Sequence, residues 1–225
     1  MAIVIFDLFG TLIDKKKHDY NSALKWLAET YFNGELKKLI ELSQKVKEFY
    51  LKKRQDSNME TSFCEQLKIF ENELHISISE DYLSVEEKFL RIFRDEYLLD
   101  GAEDLLKYLY NKNCSIYLFS NSIFSGKSLQ CYLNKFGIDQ YFQKIYSSAD
   151  IGFRKPAKES FDVVLSDIGV INLNETYYVG DSFEKDYIGA LRCNISPILI
   201  TSNKEIQGLS FANLNQLLNY FSKIL

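Results

Sequence analysis

The feature that most constrains this chain is the run Ala2-Ile-Val-Ile-Phe6, unbroken in its apolar character, which stops at Asp7. A run so short, apolar and β-branched predicts a strand buried on both faces, as in the interior of a parallel sheet. Gly10 and Thr11 then turn the chain. A carboxylate at the C-terminal edge of such a strand stands where open α/β sheets take ligands. Buried there, Asp7 needs a cation or hydrogen-bond donors to offset its lost hydration. The alternative is an acidic N-cap to a following helix.

Between Gly34 and Gly101 there is neither glycine nor proline. Apolar residues spaced by three and four predict helices along Leu36–Tyr50, Phe63–Leu74 and Leu83–Phe93, with an earlier one over Tyr20–Phe32. Ser57–Thr61 reads as a loop. Lys15 to about Tyr97 is therefore expected to be all helical, a lid inserted straight after the first strand. The expected organisation is a core of 1–14 and 98–225 with a helical cap of 15–97.

From Gly101 the pattern alternates. Helices are expected at Ala102–Asn111, Lys127–Phe136, Ala157–Ile168, Phe183–Arg192 and Asn213–Ile224. Strands are expected at Ser115–Phe119, Lys144–Ser147, Glu175–Val179 and Ile198–Thr201. Repeated β-α units of this length predict an α/β fold, a Rossmann-like doubly wound parallel sheet with helices on both faces. Each strand ends in a polar or acidic tip, and the tips fall along one sheet edge.

Composition narrows the chemistry. A net charge of −4 argues against a nucleic-acid or anionic-membrane surface. No apolar stretch approaches the roughly 20 residues of a membrane span, and Asp7 interrupts the only candidate signal sequence. Cys64, Cys114, Cys131 and Cys193 lack zinc or redox spacing, as expected of free thiols in a reducing cytoplasm. His18 and His75, the only histidines, both fall in segments that read as helical. Acid–base or nucleophilic work is left to carboxylates, lysine and hydroxyls. No exposed apolar stripe stands out, so a monomer or weak homodimer is expected.

Four clusters gather at strand ends: Asp7…Thr11, Ser120-Asn121, Lys155-Pro156 and Gly180-Asp181…Asp186. Singly, each has a plain structural explanation: an Asx turn for Ser120-Asn121, a surface lysine before a helix-starting proline, an N-cap at Asp181 and an exposed helical Asp186. In this order and spacing they resemble the haloacid dehalogenase-like hydrolase superfamily, most of whose members are magnesium-dependent phosphatases. Asp7-Leu-Phe-Gly-Thr11 is similar to its nucleophile loop and Ser120-Asn121 to its second motif. Gly152-Phe-Arg-Lys-Pro156 resembles the lysine motif, and Gly180-Asp-Ser-Phe-Glu-Lys-Asp186 the acidic metal motif. The helical insert matches the family's cap.

The resemblance implies roles. Asp7 would be the nucleophile that becomes an aspartyl-phosphate. The Asp7 carboxylate, the Phe9 carbonyl, Asp181 and Asp186 would hold Mg²⁺. Ser120 and the Asn121 amide would bind a phosphoryl oxygen of a small phosphorylated substrate. Lys155 would neutralise charge, and Thr11 would orient the group. These residue types suit phosphoryl transfer, which needs positioning and cationic compensation above all.

One departure matters. Phosphatases of this family usually carry a second aspartate two residues after the nucleophile, and here that residue is Phe9. A phenyl ring moves no proton. The 2-haloacid dehalogenases also have an aromatic there, since halide leaves unprotonated, but they need no metal. Dehalogenation without metal is therefore one alternative, and an idle fold that binds a phosphate ligand is another. Asp181 and Asp186 favour the metal-dependent phosphatase, because clustered carboxylates without a cation are costly.

Overall fold

The computed structural model describes residues 2–170, 172–203 and 208–225. In chain order the first half runs β1 (Ile3–Phe6), β2 (Ile13–His18), α1 (Tyr20–Tyr31), α2 (Leu36–Ser57), α3 (Phe63–Leu74), α4 (Tyr82–Phe93) and β3 (Arg94–Leu98). Then come α5 (Ala102–Asn111), β4 (Ser115–Ser120), α6 (Gly126–Leu133), β5 (Lys144–Ser147), α7 (Ser148–Ile151) and α8 (Lys158–Ile168). The chain closes with β6 (Thr176–Gly180), α9 (Gly189–Arg192), β7 (Ser196–Ile200), β8 (Ser210–Phe211) and α10 (Leu214–Ile224).

The sheet is parallel, in the order β5-β4-β1-β6-β7-β8. β1 lies inside it because both of its faces are covered. Val4 and Phe6 join one core with Leu105 and Leu106 of α5 and Leu217 and Phe221 of α10. Ile5 faces the other way, into a second core with Phe161 and Val164 of α8 and Ala190 of α9. The unbroken apolar run thus reports two buried faces. Parallel register sets Phe6 beside Leu118 of β4 and Val179 of β6, so the residues that follow those three strands emerge along one edge.

The helical insert has its own apolar stripe. Leu24, Leu27, Phe32, Phe63, Leu67 and Phe89 are fully buried. Ser62 starts α3 with a reciprocal capping box to Glu65. The insert is stacked on the core through Phe124, in the loop after β4, whose ring lies 5.5 Å from Phe63 and 6.3 Å from Phe89.

Several expectations need correction. The block from Lys15 to Tyr97 is not all helix: β2 and β3 pair antiparallel as a ribbon at its two ends. The signal there is cross-strand charge rather than apolar alternation, with Lys15 opposite Glu96 and Lys17 opposite Asp95. Segments some eighty residues apart carry that complementarity, which no local window sees. His18 accordingly sits in a strand, and His75 ends α3 in the left-handed region at φ 53°. Phe183–Arg192 is not one α-helix but a π-helical turn, Phe183–Ile188, leading into α9. Helix α6 stops at Leu133 and gives way to a 3₁₀ turn over Asn134–Phe136. The short elements α7 and β8 were not expected. The remaining helices and strands after Gly101 lie within two residues of their expected bounds at each end.

Candidate active site

The strand ends meet in a cleft of about 320 Å³ lined by Asp7, Phe9, Ser120, Asn121, Lys155, Asp181 and Asp186, together with Arg154, Ser182 and Lys185. Every site residue read from the sequence lines it except Thr11. That side chain is fully buried within the turn that follows Asp7.

Lys155 is the hub. It is 3% exposed, which removes the surface-lysine explanation. Its ammonium donates to Asp7 Oδ1 at 2.7 Å, Asp186 Oδ1 at 2.6 Å and the Tyr178 hydroxyl at 2.6 Å. The Tyr178 hydroxyl in turn donates to the Phe119 carbonyl at 2.9 Å. The Lys155 backbone is fixed by Asn121, whose Nδ2 donates to the Lys155 carbonyl at 2.9 Å and whose Oδ1 accepts from its N–H at 2.8 Å. The Asn121 side chain therefore orients the lysine loop instead of making a local Asx turn. Asp186 is 2% exposed, not a solvated helical residue. Its Oδ2 accepts from the Ser182 N–H at 3.0 Å, a bond within the π-helical turn.

Two carboxylates thus hold one ammonium, and a third, that of Asp181, stands close by. Oxygens of Asp7, Asp181 and Asp186 all lie within 4.8 Å of one another. Burial pushes the Asp7 carboxyl up to about 7; Lys155 opposes the shift, and Asp186 and Asp181 add to it. Burial likewise raises Asp181, with Asp186 reinforcing it. Burial pulls Lys155 down, but Asp186 and Asp7 outweigh that and hold it above the usual lysine range. This excess of negative charge fits a divalent cation. The donors are hard carboxylate oxygens, the type Mg²⁺ takes.

The backbone is cut to the same pattern. Gly10 has φ +87°, and a Cβ there would lie 2.6 Å from Asp181 Oδ2. A Cβ on Gly180 would run into the Asp186 side chain. Ser120 Oγ and Thr11 Oγ1 are buried with no protein partner. Such orphan hydroxyls are uncommon, and that of Ser120 lies at the wall of the cleft.

Phe9 closes one wall. The Arg94 guanidinium lies 3.9 Å from its ring centroid and is held by Glu96 at 3.0 Å. No proton donor occupies the ring's place. Sequence reasoning missed Tyr178. A hydroxyl in a strand buried on both faces needs a partner, but nothing local says that the partner is Lys155.

Lys155→Met is expected to destabilise the metal-free chain by about 3–5 kcal/mol, because it strands two buried carboxylates. Urea denaturation in EDTA measures it, and Mg²⁺ should restore part of the loss.

Residues 4–200 match the family model described as haloacid dehalogenase-like hydrolase. YfnB of Bacillus subtilis, named for the same hydrolases, is 31% identical over 106 residues, 47% of this chain and 44% of that protein. The pyrimidine 5′-nucleotidase YjjG of Escherichia coli is 28% identical over 109 residues, 48% of this chain and 47% of that one. The chain thus spans under half the length of these curated relatives. In three dimensions, a 2-haloacid dehalogenase from Pseudomonas syringae superimposes over 100% of both chains with TM-score 0.69 at 18% identity. YfnB crystallised with magnesium gives 0.60 over 98% of each at 23% identity. These two likenesses establish the fold. With the family model covering nearly the whole chain, the protein belongs to the haloacid dehalogenase-like hydrolases.

Proposed function

We propose that the chain is a Mg²⁺-dependent hydrolase of small phosphate monoesters that works through an aspartyl-phosphate at Asp7. The observation that carries this reading is the meeting of three carboxylates and a buried lysine in one cleft with the unpartnered Ser120 hydroxyl. Held by Asp7, Asp181, Asp186 and the Phe9 carbonyl, Mg²⁺ would offset the charge of the nucleophile and the phosphoryl oxygens.

The chain's own residues do the rest. Asp7 attacks phosphorus; its oxygen–phosphorus bond forms as the ester bond breaks, and the leaving group departs as its oxyanion. Lys155 holds Asp7 in place and keeps its positive charge throughout. Ser120 Oγ and the Asn121 N–H take phosphoryl oxygens, and Thr11 orients the loop. Water then attacks phosphorus, releasing phosphate and restoring the Asp7 carboxylate. With phenylalanine at position 9, no side chain there protonates the leaving oxygen, which favours aryl or acyl phosphates.

The relationship to YjjG places nucleoside monophosphates in the first test panel beside aryl and sugar phosphates. Phosphate release with Mg²⁺ that vanishes in EDTA is the expected result. Phe9 also favours a second reading, metal-free dehalogenation. Chloride release from a 2-haloacid, insensitive to EDTA, would replace the phosphatase by that reading. Silence in both assays, with stabilisation by a phosphate ligand, would leave an idle binder.

A further inference from the structure

The loop between α2 and α3 meets the lysine loop edge to edge. The Glu60 N–H donates to the Gly152 carbonyl and the Arg154 N–H to the Asn58 carbonyl, each at 2.8 Å. Between these backbone bonds the Glu60 carboxylate is fully buried and takes one arginine on each oxygen. Oε1 accepts from Arg54 Nη2 at 2.6 Å and Nε at 3.1 Å. Oε2 accepts from Arg154 Nη1 at 2.6 Å and the Ser148 hydroxyl at 2.8 Å.

The two guanidiniums belong to different cavities. Arg154 lines the cleft that holds Asp7. Arg54 lines a cavity of about 470 Å³ inside the insert, with Tyr20, Leu24, Val46, Tyr50 and Phe93 among its walls. That volume falls in the range of small-molecule sites. The two walls are linked through Glu60, and Ile123, at the wall of the second, is two residues beyond Asn121 at the wall of the first.

Two guanidiniums on one carboxylate leave a net positive charge. A guanidinium has five N–H donors, and the bonds to Glu60 use two on Arg54 and one on Arg154. Both arginines remain partly exposed, at 24% and 20% of their side chains.

We propose that Glu60 is a positioning residue that holds Arg54 and Arg154 as a paired acceptor site between the cavities, selecting phosphate esters whose leaving group carries a carboxylate on an apolar or aromatic body. The inference rests on the phosphatase reading above. The phosphoryl group lies at Asp7, the carboxylate meets the free guanidinium donors, and the body enters the insert cavity. Planar bidentate recognition of this kind is what arginine does and lysine does not.

The test compares phenyl phosphate with 3-carboxyphenyl phosphate, whose leaving phenols are nearly equal in acidity. The expected wild-type preference in kcat/KM for the carboxylated ester is about ten- to a hundredfold, the range for one or two hydrogen bonds to a charged group. Arg54→Met and Glu60→Gln should each shrink that ratio several-fold, chiefly through KM, and Arg54→Lys should restore only part of it. A merely structural latch would lower melting temperature and both rates together, leaving the ratio intact; that result overturns the proposal, as does a wild-type ratio near one. A binding arm separates the proposal from the chemistry beneath it. The non-hydrolysable 3-carboxybenzyl phosphonate should raise the melting temperature more than benzyl phosphonate, and the difference should fall in Arg54→Met. If neither ester is hydrolysed, the phosphatase reading fails; equal shifts by the two phosphonates sink the acceptor site.

Discussion

Phe9→Asp is expected to raise turnover of an alkyl phosphate by about 10²-fold, the lower end of what positioned proton transfer contributes. Phe9 lines the same cleft as Asp7, two residues further along the turn. A carboxyl group there stands where it can protonate a departing oxygen and later draw a proton from the attacking water. The gain should sit at the low end because the Arg94 guanidinium, 3.9 Å from the present ring centroid, would hold the new group ionised. Adding Arg94→Gln should release it and increase the gain. The diagnostic is the dependence of rate on leaving-group pKa across substituted phenyl phosphates. It should be steep in the wild type and flatter in Phe9→Asp. Slopes equally shallow in both would mean that another group already supplies the proton, and slopes equally steep that the new carboxyl does not reach the leaving oxygen.

Asp7→Asn should lower turnover by on the order of 10⁴-fold or more, the scale seen when a nucleophile is removed. Its effect on stability should run the other way. Without metal, Asp7 is a buried carboxyl pushed up to about 7, so an amide of the same shape removes an unfavourable charge from the cluster. Lys155 keeps its bond to Asp186. In EDTA at pH 8 the variant should melt no lower than the wild type. Magnesium should then stabilise the wild type more, since a cation at 100 times its Kd contributes about 2.7 kcal/mol. The paired observation, activity lost while the metal-free fold is kept, distinguishes a nucleophile from a structural aspartate. A variant that unfolds in EDTA would speak for the latter.

The sequence was legible where local chemistry and global position agree. Ala2–Phe6 reads as buried on both faces because β1 is covered by α5 and α10 on one side and by α8 and α9 on the other. Three of the polar clusters lie together because parallel register aligns strand ends; the fourth, at Lys155, follows α7 and is held to them by Asn121. Interactions between distant segments stayed hidden. The ribbon of β2 and β3 is mostly charged, and its cross-strand pairs explain it. Tyr178 looks like any core aromatic until Lys155 arrives beneath it. Nothing local pairs Arg54 with Arg154, since the carboxylate that joins them lies in a loop of no particular composition.

The ribbon also bears on how such a chain can change over time. Because the Asp19 N–H bonds the Phe93 carbonyl at 2.8 Å, the helical block leaves the core and returns to it through a single doorway. Lengthening, shortening or exchanging what lies beyond that doorway adds almost nothing to the entropy of closing the chain, since closure cost grows only with the logarithm of loop length. The parallel register that sets the ends of β1, β4 and β6 side by side lies outside the exchanged block. A lineage can therefore exchange the cassette while the sheet that carries Asp7 keeps its register.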